Sequence, residues 1–173
     1  YIPHTEVKGY HKMIDSLSDY LKEITGFDYV SYQSNAGSMG EYSGLLCIKK
    51  YHENNDNFHR NICLIPDSAH GTNFSSAKLA GFKVVVYNDN LDSFKDVVSK
   101  YKDKLGCIMI TYPGTDGVFQ KDIVDWSKIS DRTWIWNYVT DFANYIMPWP
   151  DWYNIDPNTK FYYKHSGKGV FQE

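Results

Sequence analysis

No tryptophan precedes Trp126, although the 173-residue chain contains five. All five, Trp126, Trp134, Trp136, Trp149 and Trp152, lie in the final part, so the chain changes character partway along. Cysteine is scarce too. Cys47, Cys63 and Cys107 are odd in number and far apart, which excludes a disulfide framework and a paired-cysteine zinc knuckle. They read as buried free thiols in a reducing compartment. No apolar run approaches the ~20 residues of a membrane span. The opening YIPHTEVKGYHK has no basic-then-apolar signal pattern, and its start without Met reads as a piece of something longer. With 18 basic and 21 acidic residues the formal net charge is -3. That balance gives no electrostatic footing for a nucleic-acid partner or a polybasic membrane anchor. GxSxG and HExxH are both missing, which removes the serine-hydrolase elbow and the zinc-protease helix.

What is present is a globular balance, 42% hydrophobic and 23% charged, in a chain of about one domain's length. Met13, Ile14, Leu17, Tyr20, Leu21 and Ile24 recur at the spacing of one helix face, and Gly26 follows where a left-handed cap belongs. Phe27 to Tyr32 reads as a short strand, SNAGSMG as a turn, and Glu41 to Tyr51 as a helix. NICLIP (61–66), FKVVVY (82–87) and CIMITY (107–112) read as strands. A short helix is expected over 75–80 and an amphipathic helix over 93–105, with Phe94, Val97, Val98 and Tyr101 on one face. Strands alternating with such helices predict an α/β fold with a mainly parallel sheet. After PGTDGVFQ the pattern loses its rhythm. TWIWNYVT (133–140) reads as a strand, MPWPDW as a proline-broken loop, and 160–164 and 169–172 as short segments.

Three polar loops carry the candidate chemistry. NAGSMGE (35–41) places Gly37, Ser38 and Gly40 before a helix, a junction that suits a phosphate or serves as an ordinary tight turn. It is neither a Walker loop nor GxGxxG. SAHGTN (68–73) sets His70 just after a strand, where an imidazole stacks on a cofactor ring or simply caps a helix. TYPGTDG (111–117) follows another strand. On parallel strands such loops share one edge. His52, Glu53 and His59 read as part of a polar connection, and Asp122 and Asp125 as favourable charges at a helix start.

These segments carry a resemblance. GYHKMIDSLSDYLKEITGFD, QSNAGSMGEYSGLL, RNICLIPDSAHGTNFSSAKLAGFKVVV and CIMITYPGTDGVF, within residues 1–119, resemble the P-protein of the glycine cleavage system, the pyridoxal-phosphate-dependent glycine decarboxylase. The resemblance implies part of the parallel sheet of a fold-type I PLP-dependent transferase. It implies Gly37 and Ser38 at the cofactor phosphate, His70 on the pyridine ring, and Thr72 and Thr111 near cofactor or substrate. Glycine and a lipoyl carrier protein are the implied partners, in the cytoplasm or the mitochondrial matrix. Ala36 and Met39 stand where the family usually has Ser and Gln, and Phe74 where it has Pro. The family's DGAN-like aspartate and HKTF-like Schiff-base lysine have no counterpart here. Since this chemistry needs a protonated ring nitrogen and a lysine, a chain without turnover and with no assigned catalytic residue is expected.

Residues 120–173 instead resemble part of a bacterial domain of unknown function related to glycoside-hydrolase barrels, through WSKISDRTWIWNYVTDF and MPWPDWYNIDPNTKFYYKHSGKGVFQE. An irregular, aromatic-rich segment is expected there. The alternative function is carbohydrate binding or cleavage, with Trp134 and Trp136 as stacking platforms and Glu173, or more weakly Asp141, as the carboxylate. A junction of two families between 118 and 125 reads as an artificial or mis-assembled hybrid. Truncated cores with many aromatics imply self-association.

Overall fold

The computed structural model describes residues 2–118, 133–137 and 167–172, with single positions 157, 160 and 164. The chain forms two compact units, 36–129 and 1–35 together with 130–173.

The larger unit is an α/β layer structure. Its elements run α2 (Gly37–Asn54), β1 (Ile62–Pro66), α3 (Gly71–Leu79), β2 (Lys83–Tyr87), α4 (Leu91–Tyr101) and β3 (Leu105–Ile108). The strands form one parallel sheet in the order β2-β1-β3. β1 is buried throughout, which explains its unbroken apolar sequence: a central parallel strand is covered on both faces. Its alternate side chains feed two cores. Cys63 and Ile65 pack with Leu45 of α2 and Ala77 of α3, while Ile62 and Leu64 pack with Tyr87 and Phe94 of α4. The path therefore runs from β1 over one face to β2, then back over the other face and past β1 to β3. Residues at the ends of β1 and β3 thus border the point where strand order reverses. β2 is an edge strand, with Lys83 and Val86 exposed.

Local chemistry sets the boundaries. Asn90 caps α4, its side chain accepting the Ser93 N–H at 2.8 Å. Gly106 lets β3 approach the chain before β1. A Cβ there would lie 2.6 Å from the Arg60 carbonyl oxygen and 2.9 Å from the Phe82 ring.

The smaller unit contains a 3-10 turn (His4–Glu6), α1 (Lys8–Thr25), and the parallel pair β4 (Thr133–Asn137) and β5 (Gly167–Gln172). The cap expected at Gly26 is there, with φ 76°. The helix face expected from Met13 to Ile24 is not a core face, for α1 has no buried residue.

Several sequence expectations are corrected. Phe27 to Tyr32 is not a strand, and Tyr29 is 91% exposed. Aromatic β-propensity does not suffice without a neighbour to take up backbone N–H and C=O groups. The supposed turn at Gly37–Gly40 is the first turn of α2, and α3 starts at Gly71, within the stretch read as a loop. Consequently two polar loops follow strands, not three. β3 ends at Ile108, short of Tyr112. Cys63 is buried, but Cys47 is exposed and Cys107 intermediate, all three free. Trp149, Trp152, Asp122, Asp125, Asp141 and Glu173 lie outside the described residues.

Two substitutions test this packing. Gly106→Ala should destabilise by about 1–3 kcal/mol in urea unfolding, by overpacking, whereas Gly9→Ala in α1, with open space around it, should gain about 0.5–1 kcal/mol. The Tyr87 hydroxyl is buried without a partner, and burial, with Asp89 and Asp67 nearby, pushes its ionisation up. Tyr87→Phe should therefore stabilise by about 1 kcal/mol at neutral pH. An unfolded tyrosine ionises near pH ~10, so the Tyr87 contribution is intact below that pH and is lost as pH rises above it. The stability advantage of Tyr87→Phe should grow correspondingly in alkaline unfolding curves.

Candidate functional site

The site grows from the starts of two helices and the ends of two strands. Glu41, one turn into α2, is only 7% exposed. An unpaired buried carboxylate is costly, and two hydroxyls of α3 compensate it. Thr72 donates to one oxygen at 2.8 Å and Ser76 to the other at 2.6 Å. The carboxylate thereby ties the first turns of α2 and α3 together.

Around this tie the candidate residues fall into place. Ala36, extended and without a side-chain acceptor, precedes α2. The Met39 and Gly40 N–H groups return to the Ala36 carbonyl, and no acceptor is described for those of Gly37 and Ser38. His70 stands at the N-cap position of α3 and is exposed. Its Nδ1 lies 2.8 Å from Thr72 Oγ1 and 3.3 Å from the Thr72 N–H. The single hydroxyl proton of Thr72 goes to Glu41, so Thr72 Oγ1 accepts from His70 Nδ1–H, the shorter contact. This assignment leaves His70 Nε2 with its lone pair.

Thr111, in the loop after β3, accepts the His70 N–H at 2.8 Å and the Asn73 side-chain amide at 3.1 Å. With its lone pairs so engaged, its hydroxyl proton remains for a further acceptor. The two loops are also clamped through Thr115, whose N–H and hydroxyl both donate to the Ser68 carbonyl, at 2.8 and 2.9 Å. Ser68 donates in turn to Asp89, and the Asp89 N–H reaches Asp67 at 3.0 Å.

Gly37, Ser38, His70, Thr72 and Thr111 thus all belong to the larger unit. Thr72 and Thr111 contact His70 directly, and the Glu41 tie links Gly37 and Ser38 to them through α2. Trp134 and Trp136 stand on β4, opposite Gly169 and Phe171 of β5 in register; Glu173 lies outside the described residues. Sequence reasoning missed Glu41, Asn73 and Ser76. A signal for Glu41 existed, because it shares with Leu45 and Ile48 the i, i+4, i+7 face that α2 buries. His52 has a structural role, its Nε2 lying 2.8 Å from the Gly106 carbonyl. Cys63 and Cys107 are partners in strand register, and the Cys63 thiol together with burial pushes Cys107 well up, away from thiolate reactivity. Among the described residues no His, Cys, Asp and Glu cluster is fit to hold a metal ion. No helix among them is long and apolar enough to cross a membrane.

Residues 109–173 match a family model described as a domain of unknown function, DUF4838. The chain is also similar to glycine dehydrogenase (decarboxylating). It is 50% identical to that of Shewanella frigidimarina over 129 residues, covering 71% of this chain and 13% of the relative. The Shewanella woodyi protein is 48% identical over the same shares. The Shewanella baltica protein is 52% identical over 127 residues, 70% of this chain and 13% of the relative. The chain thus spans about 13% of the length of these relatives. A 71% share exceeds what the residues before Met109 supply, so the two similarities overlap.

Glu41→Ala should cost about 1–3 kcal/mol for the Ser76 hydroxyl left without its acceptor, read by urea unfolding. It also frees the Thr72 hydroxyl to donate to His70 Nδ1. Nitrogen-15 NMR should show the His70 proton moving from Nδ1 to Nε2; an unchanged tautomer would refute the assigned proton order.

Proposed function

We propose that the larger unit is the phosphate- and ring-holding part of a glycine decarboxylase-like pyridoxal-phosphate site. The observation that carries this reading is the Glu41 tie, which sets the uncapped start of α2 and the His70 end of α3 side by side. The residues fit such a group in part. The free N–H groups of Gly37 and Ser38 suit a phosphate, favoured further by the helix dipole. The exposed His70 imidazole suits one face of a flat ring. The remaining Thr111 hydroxyl proton suits an acceptor oxygen on cofactor or substrate. Thr72 holds His70 rather than touching the ligand. When bound, pyridoxal phosphate supplies an electron sink for negative charge developing on an amino-acid carbon.

Similarity to glycine dehydrogenase (decarboxylating) supports glycine as the substrate class and, through the glycine cleavage system, a lipoyl carrier protein as the partner of the full-length relatives. The lysine and the ring-nitrogen carboxylate that turnover requires have no assigned counterpart in these 173 residues. Binding without decarboxylation is therefore the activity proposed for this chain. We also propose that residues 1–119 and 120–173 have separate ancestry. The family-model match over 109–173 supports that reading, and an uninterrupted genomic reading frame across 117–126, found in more than one isolate, would argue against a mis-assembled origin.

Titration with pyridoxal phosphate, followed by circular dichroism in the cofactor band, tests the site. An induced signal is expected, weakened at least ~10-fold in affinity by His70→Ala, about the loss of one stacking contact of ~1.4 kcal/mol. Inorganic phosphate should compete. Absence of an induced signal in a chain with native far-ultraviolet dichroism would overturn the binding proposal. Exchange of carbon dioxide with the glycine carboxyl group would overturn the expected lack of turnover.

A further inference from the structure

We propose that His4 and His11 form a chelating site for a tetragonal divalent ion of the copper(II) class, which pins the 3-10 turn to the start of α1. His4 Nδ1 lies 3.0 Å from His11 Nε2. The two rings are 4.8 Å apart between centroids and tilted by only 18°. Both are exposed, and both border one open groove of about 500 Å³ together with Lys8, Lys12, Asp15 and Asp19. An imidazole nitrogen stands about 2.0–2.1 Å from a bound first-row ion such as zinc. Two such bonds at a right angle set the nitrogens about 2.9 Å apart, and at the tetrahedral angle about 3.3 Å apart. The observed 3.0 Å is nearer the square corner, the geometry of copper(II) and nickel(II), and of these copper(II) is held more tightly by nitrogen donors.

A hydrogen-bonded pair of imidazoles needs one N–H and one lone pair, whereas an ion needs two lone pairs. The proton between the rings supplies the difference by moving to the outer nitrogen of its own ring, His4 Nε2 or His11 Nδ1. Both rings stay neutral, and the ion takes the place of the proton once they turn to let their lone pairs converge. Among the described residues no three His, Cys, Asp or Glu side chains are gathered to close a metal site, so water completes the plane around this two-nitrogen chelate. Asp15, one helical turn after His11, offsets the charge of the ion from beside it. Lys8, Lys12 and the positive end of the helix dipole oppose that charge, and Asp19 is engaged by Lys22 at 2.7 Å, so the affinity is moderate. What the ion adds is position. The amino end of α1 has no side-chain cap and no acidic residue in its first turn, and the chelate joins residues on either side of that end.

Titration of the whole chain with copper(II) chloride, followed by electron paramagnetic resonance, tests the site. One ion per chain is expected, with a tetragonal spectrum split by two nitrogens. His4→Gln and His11→Gln should each weaken binding at least ~10-fold, since losing a ligand costs no less than losing one of the groups that orient it. Their far-ultraviolet dichroism should stay unchanged, because both rings are exposed. His59→Gln, which removes another exposed histidine, should leave the affinity as it is. Hydrogen exchange read by mass spectrometry should slow over the first two turns of α1 when the ion is added to the wild type, and should not change in His4→Gln. Binding that survives either His4→Gln or His11→Gln, or a spectrum split by a single nitrogen, would overturn the chelate. Affinity lost in His59→Gln would place the ion elsewhere and overturn it too. Exchange that is no slower in the ion-loaded chain would overturn the pinning of α1.

Discussion

A carboxylate with almost no access to water has to be compensated where it stands, and at Glu41 two α3 hydroxyls provide that compensation. The contact is short, charge-assisted and partly buried, so it strengthens in its low-dielectric surroundings. Its consequence is positional. Thr72 cannot serve Glu41 and drift from His70 at once, because the same oxygen contacts both. His70 in turn is fixed from its backbone side by Thr111. A continuous path of polar contacts therefore runs from α2 through α3 to the loop after β3, and each candidate group owes its place to the preceding link.

The sheet provides the rigid frame for that path. β1 contributes side chains to both cores, so it cannot shift without disturbing two packed layers. The connections leave on opposite faces, which separates the chains following β1 and β3 just beyond their ends. Ordinarily that opens a crevice. Here Thr115 binds the Ser68 carbonyl twice across it, and Asn73 reaches Thr111 from the helix side. Backbone polar groups that would otherwise need water are thereby satisfied within the two loops, while the His70 ring remains exposed.

The parts of this arrangement legible in the sequence are those governed by local rules. An unbroken apolar run marks β1, amphipathic spacing marks α4, and Gly26 marks the end of α1, because burial, periodicity and left-handed backbone each leave a direct imprint. His70 and Thr111 stood out through their places after strands. The misreadings have a common physical cause. Glycines in Gly37–Gly40 weaken helix propensity, yet that turn is helical and packs Gly40 and Glu41 into the interior; tertiary contacts outweigh roughly 1 kcal/mol of intrinsic preference per glycine. Glu41 has the letter of a surface residue and the environment of a core residue. Only the hydroxyls thirty-odd positions away, Thr72 and Ser76, reconcile the two. Phe27 to Tyr32 has strand-forming side chains, and what it lacks, a neighbouring strand, is not a local property.

Holding a ligand and transforming it place different demands on a chain. A phosphate and a flat ring can be held by backbone N–H groups, one imidazole and a hydroxyl, all carried by neighbouring elements of one small sheet. Covalent chemistry needs groups set precisely against the bound ligand by further, distant segments. The Glu41 path belongs wholly to the first requirement: it fixes orientation and hydrogen-bond direction without supplying a nucleophile. The larger unit contains that path, two cores and both helix starts within residues 36–118. Among the described residues the contacts that make up this path are made before Val118, so its geometry is set by the sheet and helices of the larger unit.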